Sequence, residues 1–172
     1  MSSNPLLAAW TTPFGAPPFD AIAPEHFSPA FDQGMAEHWA EIEAIAANPA
    51  PPSFENIIVA MERGGRTLGR VGALFSNLVA SHGDPALQEV EREMAPKLAV
   101  HHSRVALHPA LFARVADLHD RRERLGLDPD ELRLLERTHL SFVRAGAALD
   151  EAGRTRMAAI NTRLATDRKS VV

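Results

Sequence analysis

Cysteine and tyrosine are both absent from these 172 residues, and lysine occurs only at Lys97 and Lys169. Without cysteine there is neither a disulfide nor a thiolate metal site. That absence fits a reducing compartment, and a cytoplasmic location is expected. Without tyrosine, the aromatic volume of any core falls to Phe and Trp. No uninterrupted apolar run approaches the roughly 20 residues that a membrane span needs. Residues 1–5 show no basic stretch leading into an apolar one, so no signal peptide is expected. The formal net charge is −4, and no basic stripe marks the chain as a nucleic-acid binder. No segment alternates apolar and polar residues as a half-buried strand does. The expected fold class is all-α, with about six helices in antiparallel hairpins behind an extended, Pro-rich N-terminal strap.

Apolar residues at helical spacing and sharp proline corners are what the chain has in their place. Asn48-Pro49-Ala50-Pro51-Pro52-Ser53 is the hardest corner. Asn48 suits a left-handed position past a helix end, the prolines cannot continue that helix, and Ser53 can cap the next one. Before this corner, a first helix is expected from about Pro24 to Ala47, with Phe27, Phe31, Met35, Trp39, Ile42 and Ala46 on one face. After it, a second is expected from Phe54 to about Ala80. Its stripe includes Ile57, Ile58, Met61, Leu68, Val71 and Phe75, while Arg63, Arg66 and Arg70 should meet water. Gly64, Gly65 and Gly69 are costly inside a helix; a kink or the close approach of another backbone explains them. Asp84-Pro85, His108-Pro109 and Asp128-Pro129 open three further helices, with a bend expected at Pro96, and a sixth begins near Asp150. The strap over residues 1–23 holds Leu6, Trp10, Phe14 and Phe19, which are too apolar for a disordered tail. Two packings are open for it: on this domain's own helices, or on a body outside this sequence. The remaining divisions are a helical domain over 24–166 and a divergent tail over 167–172.

Histidine is the one rich source of metal ligands, but its spacing is wrong for a site. Glu136-x-x-His139 is half of a carboxylate-bridged di-iron pattern, and the second half is missing. His101 and His102 are adjacent, so they point to different faces of a helix. His38 and His119 stand alone in the sequence. No His is followed by Glu, so the zinc-peptidase signature His-Glu-x-x-His is absent. There is also no Gly-x-Ser-x-Gly elbow and no phosphate loop. Arg121, Arg122 and Arg124 cluster near a helix C-terminus, where cations complement the dipole. No catalytic, cofactor-binding or metal-binding residue is therefore assigned.

Several stretches nevertheless resemble one family in order and spacing. Asn4-Pro5-Leu6-Leu7, Pro13-Phe14-Gly15, Pro17-Pro18-Phe19-Asp20 and Pro24-Glu25-His26-Phe27 resemble the N-terminus of bacterial peptidyl-dipeptidases, in the thimet oligopeptidase and oligopeptidase A family. Phe54-Glu55-Asn56-x-Ile58, Glu93-Met94-Ala95-Pro96, Leu134-Leu135-Glu136-x-x-His139 and Phe142-Val143-Arg144 continue the likeness, which runs from Asn4 to about Thr166. The resemblance implies a zinc peptidase that cuts short peptides, with its zinc motif in a C-terminal part that this sequence does not contain. It implies that the present region is a helical wall of a deep substrate channel and filters substrates by size. No family metal or catalytic residue has a matching position here, so this chain alone is expected to be inactive. Its expected partners are short peptides, the C-terminal catalytic part and, through exposed apolar surface, itself; nucleic acid and membrane are not expected. The alternative is a free-standing helical interaction module without catalysis. The departure after Thr166 fits a truncation, a premature stop or vector-derived residues.

Overall fold

Proline and N-capping side chains start the helices where the sequence places them. The structure, a computed structural model, describes residues 4–167. Among these there are seven α-helices and no strand: α1 Phe27–Ala46, α2 Ala60–Arg63, α3 Arg66–His82, α4 Pro85–Ala106, α5 Pro109–Asp120, α6 Pro129–Ala145 and α7 Glu151–Asp167. A π-helical turn, Glu55–Val59, leads into α2. Asp84 Oδ1 accepts from the Ala86 N–H at 2.8 Å. Asp128 Oδ1 accepts from the N–H groups of Asp130 and Glu131, both at 2.9 Å, and Glu131 Oε2 accepts from Asp128 N–H at 3.1 Å. That reciprocal pair is a capping box, which satisfies donors that a helix start leaves open. Ser53 and Asn56 make a similar exchange: Ser53 Oγ accepts from Asn56 N–H at 3.1 Å, and Asn56 Oδ1 accepts from Ser53 N–H at 3.0 Å. Of the tail expected over 167–172, Asp167 ends α7; the rest lies outside the described residues.

Two compact units emerge, each with its own core. Among the described residues, the first comprises residues 4–38 and 65–98, the second residues 39–64 and 99–167. In the first, Leu6, Phe27, Phe31, Val71, Phe75 and Met94 are buried together. Phe75 packs against two rings there, Phe27 at 5.0 Å and Phe31 edge-on at 5.3 Å between centroids. The second core holds Ile42, Ile57, Ile58, Leu111, Val115, Leu118 and Leu135. The continuous stripes expected on the first two helices therefore serve different cores at their two ends.

The structure corrects several local expectations. Asn48 does not take a left-handed conformation; its Oδ1 instead accepts from Ala50 N–H at 2.9 Å, closing the turn with the side chain. The second expected helix is broken at Gly64–Gly65, where Gly64 is extended (ψ 166°) and Gly65 is left-handed (φ 67°). A left-handed position strains any residue with a Cβ, and the ring of His38 lies 3.3 Å from where one would sit at Gly65. His38 is thus packed over the break, not isolated. Gly69 does not mediate a close helix approach, since a Cβ there would meet nothing within 4 Å. The close approach is at Gly34 in α1, where a Cβ would come within 3.0 Å of the Leu68 backbone. A side chain there must push α1 and α3 apart, so Gly34→Val is expected to destabilise the first unit by about 1–3 kcal/mol, read as a lower urea midpoint.

The strap consists of turns and is not an extended ribbon. Its first part is tied to the first unit. Asn4 Nδ2 donates to the His26 carbonyl at 2.8 Å, and Trp10 Nε1 donates to the Pro5 carbonyl at 3.0 Å. Arg70, expected to meet water, instead donates to the Leu6 carbonyl at 2.6 Å and covers the Trp10 ring at 4.8 Å. Leu6 is wholly buried, whereas Phe14 is fully exposed and Phe19 more than half exposed. Phe14 also has φ 61° and ψ 12°, a left-handed geometry that costs a non-glycine residue about 1–2 kcal/mol.

Candidate functional site

A concave surface that carries several functional groups lies within the second unit. It is an open cleft of about 560 Å³, with Trp39 and Glu43 from α1, Arg104 from α4 and His108 at the start of α5. Arg154, Thr155, Ala158 and Thr162 of α7 form its other side. The Arg104 guanidinium stacks 3.4 Å from the centre of the Trp39 ring. The His108 ring also neighbours Trp39, at 5.4 Å between centroids. Stacking holds a guanidinium in place while its N–H groups stay available.

The local sequence fixes the imidazole of His108. Its Nδ1 accepts from Leu111 N–H at 3.2 Å and so caps α5. A nitrogen that accepts carries no proton, so the neutral ring holds its proton on Nε2. Nε2 lies 3.2 Å from Glu43 Oε1, to which it donates. The hydroxyls along the α7 wall are engaged elsewhere. Thr155 Oγ1 donates to the Glu151 carbonyl at 2.9 Å and Thr162 Oγ1 to the Ala158 carbonyl at 3.0 Å. The cleft can therefore bind an apolar side chain and orient polar groups beside it.

Of the sequence candidates, Glu136 and His139 turn to different partners. Glu136 Oε1 lies 3.8 Å from Arg122 Nε, while His139 stacks on His119 with centroids 3.9 Å apart and planes within 12°. Phe112 stacks on the same His139 ring at 5.8 Å. His119, solitary in sequence, thus has a ring partner in space, though its Nδ1 is buried without a hydrogen bond. Two stacked imidazoles present faces to each other, and metal ligands must present nitrogens. His101 is buried and its neighbour His102 exposed. Among the described residues, no group of three or more His, Asp or Glu side chains could hold a metal ion. Arg122 Nη1 donates to the His119 carbonyl at 3.0 Å and Arg121 Nε to the Asp117 carbonyl at 3.3 Å. Arg121 and Arg122 thus take the helix-end role expected of their cluster.

Burial is the main cause that pushes the His139 pKa below its ordinary value, and the neighbouring His119 adds to it. Arg122 pushes the same way, and Asp120 opposes them. A histidine with a depressed folded pKa binds fewer protons folded than unfolded. Its contribution is present above about pH 6.5, the unfolded value, and is lost as pH falls through the folded value. The gap in melting temperature between His139→Phe and the parent chain should accordingly move in favour of the variant as pH is lowered from 8 to 5. A gap that stays constant over that range would contradict the burial of His139.

Sequence comparison adds what the geometry does not carry. The chain is 44% identical over 163 residues to the dipeptidyl carboxypeptidase of Escherichia coli, a match covering 95% of this chain and 24% of that protein. It is 42% identical over 166 residues to the dipeptidyl carboxypeptidase of Salmonella typhimurium, covering 96% of this chain and 24% of that protein. Oligopeptidase A of Salmonella typhimurium is 31% identical over 162 residues, with 94% and 23% covered. The chain thus spans about a quarter of the length of these curated relatives, in their N-terminal region. No family model matches it. Among the described residues, no helix is long and apolar enough to cross a membrane.

Proposed function

We propose that this chain is the helical channel-wall part of a larger zinc-dependent peptidyl-dipeptidase or oligopeptidase, working in the cytoplasm on short peptides. In this reading the wall filters substrates by size, and the cleft around Trp39 and Arg104 touches the peptide. Its apolar floor suits a side chain, and Arg104, His108 and Glu43 suit the polar backbone on either side of it. The observation that carries the proposal is the 44% identity to a dipeptidyl carboxypeptidase along 95% of the chain. This chain's own residues do not fit a zinc centre. Its sequence lacks His-Glu-x-x-His, and the described residues bring no three donor side chains together. In this reading zinc and bond cleavage belong to polypeptide outside this chain, and its partners are that polypeptide and the peptide substrate.

The test is a chimera in which this chain replaces the matched 163-residue segment of the Escherichia coli dipeptidyl carboxypeptidase. The chimera should release dipeptides from short peptides in the presence of zinc, and this chain alone should release none. A monodisperse, folded chimera without turnover would defeat the proposal. A second reading, a free-standing helical interaction module, draws on the two cores, each closed within its own unit. It predicts a silent chimera and a well-folded isolated chain.

A further inference from the structure

We propose that the turn carrying Phe14, together with Phe19, is a preorganised docking arm for the rest of the longer polypeptide. Two unfavourable features coincide at Phe14. Its backbone is left-handed, which a bulky aromatic residue seldom tolerates. Its side chain is fully exposed, with no apolar contact to offset that strain. Both features persist because the turn is closed from several sides. Gly15 N–H donates to the Thr12 carbonyl at 3.0 Å and Ala16 N–H to the Pro13 carbonyl at 3.2 Å. The Thr12 hydroxyl donates to the Ala16 carbonyl, and Pro13, Pro17 and Pro18 restrict the chain around it. Rigid aromatic anchors of this kind dominate binding energy, because little conformational freedom is left to lose. Phe19, also exposed, edges an open groove of about 330 Å³ lined by Ile22, Pro24, Leu78 and Leu87. Phe14 and the Phe19 groove, which Asp84 also lines, are exposed apolar features of the first unit of the sort that marks a contact surface.

The occupant is the polypeptide that makes up the other three quarters of the relatives' length. This inference rests on the proposed reading that the chain works inside a longer peptidase. A body tethered to the same chain acts at millimolar effective concentration, far above what a second copy reaches in solution.

The test compares Phe14→Gly in the isolated chain and in the chimera described above. Glycine relieves the left-handed strain, so the isolated chain should keep its melting temperature or gain a degree or two. In the chimera the same change should lower the melting temperature by a few degrees and speed protease cleavage between residues 12 and 19 about tenfold. Phe14→Ser and Phe19→Ser should weaken the chimera likewise. Equal shifts in the isolated chain and the chimera, or none in the chimera, would overturn the docking arm while leaving the peptidase reading intact. A folded but inactive parent chimera would instead remove that reading, and the inference with it. A dimer of the isolated chain that disappears with Phe14→Gly in sedimentation would give the arm to a second copy and overturn the stated occupant.

Discussion

Replacing Arg114 with Met should destabilise the second unit by about 2–4 kcal/mol, although Arg114 lies in no stripe and no motif. Its guanidinium on α5 clamps the proline corner from a distance in sequence. Nη1 donates to the Asn48 carbonyl at 2.7 Å and the Ala50 carbonyl at 3.2 Å. Nη2 donates to the Ala50 carbonyl and to Asn56 Oδ1, both at 3.2 Å. Those carbonyls belong to a segment whose prolines prevent it from pairing its own backbone. Hydrogen bonds from a charged donor contribute about 1.5–3 kcal/mol each at best. Their sum overstates the loss, because water reaches part of the corner and Arg114 Nε is itself buried without a partner. Met keeps the aliphatic stem and removes only the fork, so the measurement isolates the hydrogen bonds. Arg114→Lys should recover little, since one ammonium cannot span acceptors that a planar fork reaches together. Urea unfolding followed by Trp39 fluorescence is the direct measurement. A loss below about 0.5 kcal/mol, the scale of an ordinary surface substitution, would mean that the corner holds without its clamp.

Phe27→Ala should cost the first unit about 3–5 kcal/mol, the range for emptying a fully buried aromatic site. Phe27 has no exposed surface, and its ring packs on Phe75, which in turn meets Phe31 edge-on. Removing it leaves a cavity between aromatic rings that cannot collapse without moving α1 or α3. Phe27→Leu should cost far less, because it keeps most of the volume. The chain has two tryptophans, and they fall one in each unit: Trp10 beside the first core and Trp39 beside the second. In Trp39→Phe, fluorescence therefore reports the first unit alone. The Phe27→Ala loss should appear in full in the Trp10 signal. An unchanged Trp10 midpoint would show that Phe27 does not support the core in which it is buried.

The outward pair on the strap bears on both proposals. Leu6 and Trp10 answer the open question of the strap in favour of this chain's own helices, since Arg70 of α3 donates to the Leu6 carbonyl and covers the Trp10 ring, and both side chains pack with the first core. Phe14 and Phe19 do not follow them. One sequence feature thus splits into an anchored half and a half turned to solvent, and periodicity gave no means of separating the two.

Helix starts, proline corners and the absence of strands were legible in the residues alone, because capping and helical spacing are local properties. Asp84, Ser53 and Asp128 act within three residues of themselves, so no folding was needed to read them. The cleft was not legible: Trp39, Arg104, His108 and the α7 wall meet only once separate helices pack. The same holds for the His119–His139 stack, and for Arg114, whose acceptors lie 58 to 66 residues away. Sequence by itself determined that the chain is helical and where the capped helices start, but not the break at Gly64–Gly65. Only the tertiary structure decided that their apolar stripes divide between two cores and which side chains stand opposite one another, because long-range packing selects those pairs and no local preference encodes them.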